Sequence, residues 1–444
     1  MAGPTLARTL SLGDLIVYGL LFIGPLAPVG VFGVLDARTG GAVALVYLLA
    51  TAAMACTAWS YAEMSRVVPH AGSVFAYATE GLGRPAGFVA GWMAMLDYLL
   101  IPAVAYLFSG IALHALMPSV PVWAFTVAAF AGTTLLNLAG VAIAARVGLV
   151  VLVAEVAVLA LFVVLGVAVL LTTGPARPLL SPFVGTGALT ASAVAGAMAV
   201  AVLSFLGFDA IAGFAEENAG GPDQVGRAIL VCLATAGVLF VLQAWLAAVL
   251  SPQDPAGLAG DPARQGTEFY DVTRAAVAPW LATVLAITKA VGPAFAAMTA
   301  QAASARLLFG MARDGRLPRI LARIDGRHGM PRVALVTSAA LTFAVALWAA
   351  RRADGLDVLV SMVDIGALAA FTLLHASVVG YFVVRRTAPG GARHAIVPLA
   401  GAAVTLWVIA GASPLAQAVG AAWLIAGLAM FAVTRTPTDP PRAA

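Results

Sequence analysis

The chain has 444 residues, 62% of them hydrophobic and 10% charged, with a mean hydropathy of +1.00 and a formal net charge of +4. Such a surface could not stay wetted, which excludes a soluble enzyme or soluble binding module. Apolar stretches of about 20 residues, enough to cross a bilayer, fill nearly the whole sequence, so the reading is an all-α polytopic membrane protein with no separate soluble domain.

Twelve transmembrane helices are predicted, at about 12–35, 41–65, 85–116, 121–139, 145–172, 189–215, 226–250, 277–311, 333–350, 357–384, 395–411 and 415–434. The first apolar stretch, about Leu15 to Leu35, is longer than a signal-peptide core and lacks an A-x-A exit, so it is read as a retained span. Midway it reads Phe22-Ile23-Gly24-Pro25-Leu26-Ala27-Pro28-Val29-Gly30. A proline inside a helix costs about 3 kcal/mol and frees a carbonyl one turn earlier. In lipid that carbonyl must find another partner. Two prolines beside Gly24 therefore predict an unwound segment. Carbonyls near Ile23 and Gly24 would end one half-helix and suit an ammonium group; amides after Pro28 would begin the next and suit a carboxylate.

Span 3 carries Asp97 and Tyr98 shortly before Pro102, and span 5 carries Glu155. Span 6 repeats the pattern of span 1: Phe205-Leu206-Gly207-Phe208-Asp209-Ala210-Ile211-Ala212-Gly213 is again F-x-G-x-x-A-x-x-G. The two segments start 183 residues apart. If residues 12–172 and 189–384 are two five-span copies, the odd copy length inverts one against the other, with 395–434 appended. Matched breaks in two inverted halves mark the binding site of a transporter. Asp209 is costly in mid-membrane, by about 2.5–3.5 kcal/mol on the insertion scale. It is expected either to N-cap the second half-helix or to meet a substrate amine or a coupling proton. Phe208 is expected to be a lid or core packing.

Span 8 holds Lys289, the only lysine in the sequence, four residues before Pro293; span 10 holds Asp364 and, eleven residues on, His375. Asp97, Glu155, Asp209 and Asp364 thus oppose one base in the membrane. That imbalance predicts a cavity biased toward a cationic solute, with a protonatable acid available for coupling. The bland alternative is that Lys289 pairs with one acid and backbone groups satisfy the rest. Cys56 and Cys232 lie within spans and are read as inert thiols. No metal site and no cofactor are expected.

With the N-terminus on the cytoplasmic side, Arg66, Arg84, Arg146, the arginines from Arg313 to Arg332, and Arg385, Arg386 and Arg393 fall on cytoplasmic loops. The opposite loops carry Arg38, Arg177, Arg264, Arg274, Arg351 and Arg352. This asymmetry is the positive-inside bias, and it predicts a multi-pass plasma-membrane protein with both termini cytoplasmic. The basic 313–332 loop is short and wedged between spans, which argues against nucleic-acid binding.

Several stretches resemble a known family. Ser60-Tyr61-Ala62-Glu63-Met64 and Val68-Pro69-His70-Ala71-Gly72-Ser73, followed by Gly81-Leu82-Gly83, are similar to the region between spans 2 and 3 of amino acid–polyamine–organocation (APC) permeases. Ala305-Arg306-Leu307-Leu308-Phe309-Gly310 through Leu317-Pro318 resembles the end of that family's span 8. Ser204 to Ala210 with Ala215-Glu216-Glu217-Asn218 resembles its span 6, and Gly366 to Phe371 its span 10. The likeness covers about residues 12 to 385. It implies the leucine-transporter fold, five-plus-five inverted repeats with two extra helices, and alternating access.

Two departures sharpen the expectation. The prolines of the span 1 break remove amides that cradle a substrate carboxylate in many amino acid members. The break and the Asp97-Tyr98 pair look more like putrescine-importer-type members. Some proton-coupled members carry a lysine in span 5 where Glu155 stands here, which suggests a swapped Glu155–Lys289 pair, with sodium at Glu155 as the alternative. The reading is a secondary transporter importing a polyamine, another amine or an amino acid by proton symport. Its solute is held by Ile23, Gly24, Pro25, Ala27, Pro28, Asp97, Tyr98, Phe205, Gly207, Phe208 and Asp209, with Glu155 and Lys289 in coupling. The rivals are a zwitterionic amino acid permease or exchanger using amides at Val29, Gly30 and Ala210 and, more remotely, a membrane-embedded enzyme.

Overall fold

The structure, a computed structural model, describes residues 8–69, 72–139, 141–186, 189–221, 223–325, 330–352, 355–412 and 414–433. Among the described residues there is no sheet, and eleven helices are long and apolar enough to cross a membrane. Span 1 begins at Leu12 on a capping box: Ser11 Oγ accepts the Asp14 N–H, and the Asp14 carboxylate accepts the Ser11 N–H. Its helix, Leu12–Ile23, stops at Gly24, whose φ of 74° lies where side chains are disfavoured. A 3-10 turn over Ala27–Gly30 completes the crossing, and a short helix, Phe32–Arg38, lies at the far face.

Other boundaries lie close to the sequence reading. Span 2 is Val43–Val67, span 3 Arg84–Leu116, span 4 Val122–Ala139, span 5 Val141–Thr173 and span 7 Asp223–Leu250. Span 8 is Pro279–Arg313, span 9 Arg332–Ala349, span 11 Arg393–Ala410 and span 12 Pro414–Val433. Span 10 is an α-helix over Gly355–Val378 that loosens to a π-helix over Val379–Val384. The polar 251–276 loop is less open than expected: it winds into short helices at Pro255–Ala259, Pro262–Gln265 and Glu268–Val272.

The sixth segment differs from a single helix over 189–215. Thr190 caps a helix over Ala191–Leu203, a turn comes next, and a 3-10 stretch runs from Asp209 to Glu217. Gly207, with φ of 124°, makes the turn. Nine residues is long for a 3-10 helix, whose hydrogen bonds are poorer than those of an α-helix. Side chains hold it: Phe214 stacks on Tyr18 at 5.1 Å, and Glu217 is bound by Arg306.

Span 3 is central, with 72% of its apolar window buried, whereas spans 4 and 12 are peripheral at 17%. Span 3 packs against spans 8, 10 and 4, and span 2 against span 7. Small residues allow this closeness. Apolar side chains such as Val150, Val164 and Leu171 point outward, as a lipid-facing surface requires.

Candidate functional site

The two helix interruptions touch. A Cβ added at Gly207 would stand 2.7 Å from the Phe22 ring, so the turn of the sixth segment lies directly on the last turn before the span 1 break. Gly207→Ala would combine this clash with a disfavoured φ. It is expected to cost about 1–3 kcal/mol and to lower the apparent melting temperature of the purified protein; unchanged melting would show that the turn is not tightly packed.

Gln243 of span 7 braces the first break, its side-chain amide donating to the Pro25 carbonyl at 2.9 Å. The Gly24 carbonyl is not left for a cation, because it accepts the Ala27 N–H at 2.9 Å. The 3-10 turn thus gives the Gly24 carbonyl the partner that Pro28, lacking an N–H, cannot supply.

At the second break, Asp209 does not N-cap an α-helix. It is the first residue of the 3-10 stretch. Its Oδ1 accepts the Gly207 N–H at 3.1 Å, and its Oδ2 accepts the Tyr98 hydroxyl at 2.5 Å. A 3-10 turn is too tight for the usual capping geometry, and the carboxylate bonds backward instead. Asp97, next to Tyr98 in span 3, is buried.

A cavity of about 100 Å³ lies at the first break. Ile23, Gly24, Ala27 and Gly30 of span 1 line it, with Ile101, Val104 and Phe108 of span 3 and Ser204 and Leu206 of the sixth segment. Glu155 and Lys289 also face it. Glu155 packs on Gly292, where a Cβ would overlap its carboxylate, and its Oε2 has no hydrogen-bond partner. The Lys289 stem lies beside Gly30, so spans 1, 5 and 8 converge here.

The expected site residues therefore divide. Ile23, Gly24, Ala27, Glu155 and Lys289 line the cavity. Tyr98 and Asp209 are bonded to each other, and Asp97 sits one helical turn from the cavity-lining Ile101. Phe208 packs among Tyr61 and Phe371, whereas Phe205 packs on Tyr47 and Phe240. Val104, Phe108 and Ser204 carry no charge that would have singled them out.

Ionic contacts cluster beside the N-terminal segment. Arg306 of span 8 makes a two-pronged contact with Glu217, donates to the Ala302 carbonyl at 2.7 Å and lies 4.0 Å from the Phe214 ring centre. Arg313 pairs with Glu216 at 2.9 Å. The N–H groups of Thr9 and Leu10 bond to the Glu217 carbonyl, tying the N-terminal segment to the same place.

A second clasp lies at the opposite face. The Arg177 guanidinium binds both oxygens of Asp36, at 2.9 and 3.0 Å, as well as Ser251 Oγ and the Gln253 carbonyl. Ser251 in turn donates to Glu268. Burial pushes the Asp36 carboxyl above the usual carboxylate range, against the pull of Arg177, and burial likewise raises Glu268. Asp36 thus takes up a proton at higher pH than an exposed carboxylate would, so acidification weakens its hold on Arg177.

Two interrupted helices in contact, with buried charges around them and an ionic clasp near each face, suit a solute transporter. The sequence profile described as amino acid permease matches residues 11–438, and the chain belongs to that family, within the APC superfamily. It is 29% identical over 418 residues to the low-affinity putrescine importer PlaP of Escherichia coli (strain K12), covering 91% of this chain and 88% of the relative. It is 29% identical over 432 residues to the methylthioribose transporter of Bacillus subtilis (strain 168), with the same coverage. To the branched-chain amino acid permease BcaP of Bacillus subtilis (strain 168) it is 27% identical, over 87% of this chain and 82% of that one. The chain is a multi-pass membrane transporter of amines or amino acids.

Proposed function

We propose that the protein imports a small organic amine across the plasma membrane by proton symport. The observation that carries this reading is the Asp209 carboxylate, held by Tyr98 at the helix break with Asp97 beside it. A second observation disfavours a carboxylate-bearing solute. The Val29 N–H is engaged by the Leu26 carbonyl and the Ala210 N–H by the Gly207 carbonyl, so two amides expected to cradle a carboxylate are occupied. The putrescine importer among the relatives supports an amine; the branched-chain amino acid permease supports the zwitterionic alternative.

In this reading both termini are cytoplasmic, so the Arg306–Glu217 contact, which lies beside the N-terminal segment, is the inner gate. Residues 12–172 and 189–384 are the inverted repeats, with 395–434 appended. Asp97 and Asp209 hold the ammonium, beside the backbone from Ile23 to Pro28. Glu155 gains and loses the coupled proton, and Lys289 tunes it. A thermal-shift screen of the purified protein tests the solute class, because a ligand favouring the folded state raises apparent stability. Amines are expected to raise the melting temperature and neutral amino acids to leave it unchanged; the reverse would establish the zwitterionic reading.

A further inference from the structure

We propose that the groove between spans 10 and 11 binds an anionic phospholipid, with its phosphate on Arg385 and an acyl chain in the groove. The site lies outside the solute pathway and does not depend on which solute the protein carries.

The groove has a volume of about 430 Å³. Span 10 lines it with Ala376 and Val379, span 11 with Leu399 and Ala402, and the short helix Val74–Leu82 with Gly81 and Leu82. Missing side chains make room for it. A Cβ at Gly380 would overlap the Gly81 carbonyl, and one at Gly401 would overlap the His375 ring. The polar side chains along its wall are already satisfied. His375 Nε2 meets Thr57 Oγ1 at 3.2 Å and its Nδ1 meets Ser60 Oγ at 3.0 Å, so the ring presents carbon to the groove. Thr372 donates to the Leu368 carbonyl at 2.9 Å and meets Thr405 Oγ1 at 2.8 Å. Such a wall suits a hydrocarbon chain and offers little to a polar ligand. Val384 and Leu399, 73% and 59% exposed, place the opening on the lipid-facing surface.

The charged end is built by the π-helix of span 10. The Arg385 N–H bonds the Gly380 carbonyl, five residues back, at 2.9 Å, which sets Arg385 one wide turn from the groove-lining Gly380. Its guanidinium donates to the Glu80 carbonyl at 3.1 Å, and that bond holds it at the groove with further donors to spare. Arg385, Arg386 and Arg393 are exposed, and among the described residues none of the three is paired with an acidic side chain, whereas Arg66, Arg306 and Arg313 are. Glu80 precedes the groove-lining Gly81, and the three arginines outweigh its carboxylate. Positive charge above an apolar slot at the membrane surface matches a phosphate above its acyl chain. A free anion would gain nothing from the slot, and a neutral lipid nothing from the arginines.

The test is native mass spectrometry of the purified full-length protein incubated with equal amounts of phosphatidylglycerol and phosphatidylcholine of identical chains. The wild type is expected to retain phosphatidylglycerol over phosphatidylcholine by about tenfold, as a charge-assisted bond to phosphate implies. Arg385→Gln is expected to cut that preference to about twofold or less. Ala402→Phe, which fills the slot and spares the arginines, is expected to lose the bound lipid. Arg319→Gln, which removes an exposed arginine after span 8, is expected to keep it. No preference in the wild type, or retention unaltered in R385Q, would overturn the site, and R385Q decides if A402F fails to fold, because Arg385 is exposed. Retention unaltered in a folded A402F, an equal loss in R319Q, or displacement by inorganic phosphate at the lipid's own concentration would also overturn it, since each would show binding by charge without a chain.

Discussion

Replacing Arg306 with methionine is expected to destabilise the protein by about 3–5 kcal/mol, because it leaves a buried carboxylate without its counter-ion. The pair is nearly fully enclosed, with side-chain exposures of 2% for Arg306 and 4% for Glu217. The guanidinium also donates a second bond to the Ala302 carbonyl and faces the Phe214 ring, so one substitution unpairs an acid and removes the cation from a stacked aromatic. The double variant Arg306→Met with Glu217→Met is expected to recover much of the stability, since replacing both charges removes the unmatched burial. Transport should not recover with it, because a gate welded by apolar packing has no polar contact to exchange with water when it opens. Thermal unfolding of the single and double variants, read together with uptake, checks both parts. A single variant as stable as the wild type would show that Glu217 finds another partner.

The second large effect concerns coupling. Glu155→Gln keeps the shape of the side chain and removes its capacity to carry a proton. Uptake driven by a pH gradient is expected to be abolished, while ligand binding and solute exchange persist. The reason is positional. Glu155 lies against Gly292 of span 8 and lines the same cavity as Lys289, whose stem rests beside Gly30 of span 1. A charge change there acts on three elements that must shift against one another in alternating access. Unchanged pH-driven uptake in the variant would refute the assignment, and uptake that followed a sodium gradient would move the coupling ion to sodium.

The spans were legible because a bilayer demands long apolar runs with internally bonded backbone, a constraint that composition cannot disguise. The breaks were legible from clustering and repetition rather than from proline alone, since Pro102, Pro293 and Pro398 sit inside unbroken helices, whereas Gly24, Pro25 and Pro28 fall together and Gly207 recurs in the matching motif. The conformation beyond each break was not legible. That Asp209 opens a 3-10 stretch rather than capping an α-helix depends on Tyr18, Arg306 and Tyr98, which lie far away in sequence. Gln243 gave a faint signal, a polar side chain in an apolar span, but its target at the Pro25 carbonyl could not be read from spacing. The cavity walls were silent, since Ile101, Val104 and Phe108 resemble any lipid-facing residues until the packing of span 3 turns them inward. Arg306 and Glu217 were visible within family-like motifs, yet nothing in either motif indicated that they bind each other.

Accumulation of labelled substrate in proteoliposomes tests the central claim most directly. With a proton gradient imposed, inside alkaline, the account predicts that a labelled amine builds up inside beyond its outside concentration, that unlabelled amine competes for entry, and that neutral amino acids do not. Concentrative uptake of a neutral amino acid alone, with the amine excluded, would contradict it.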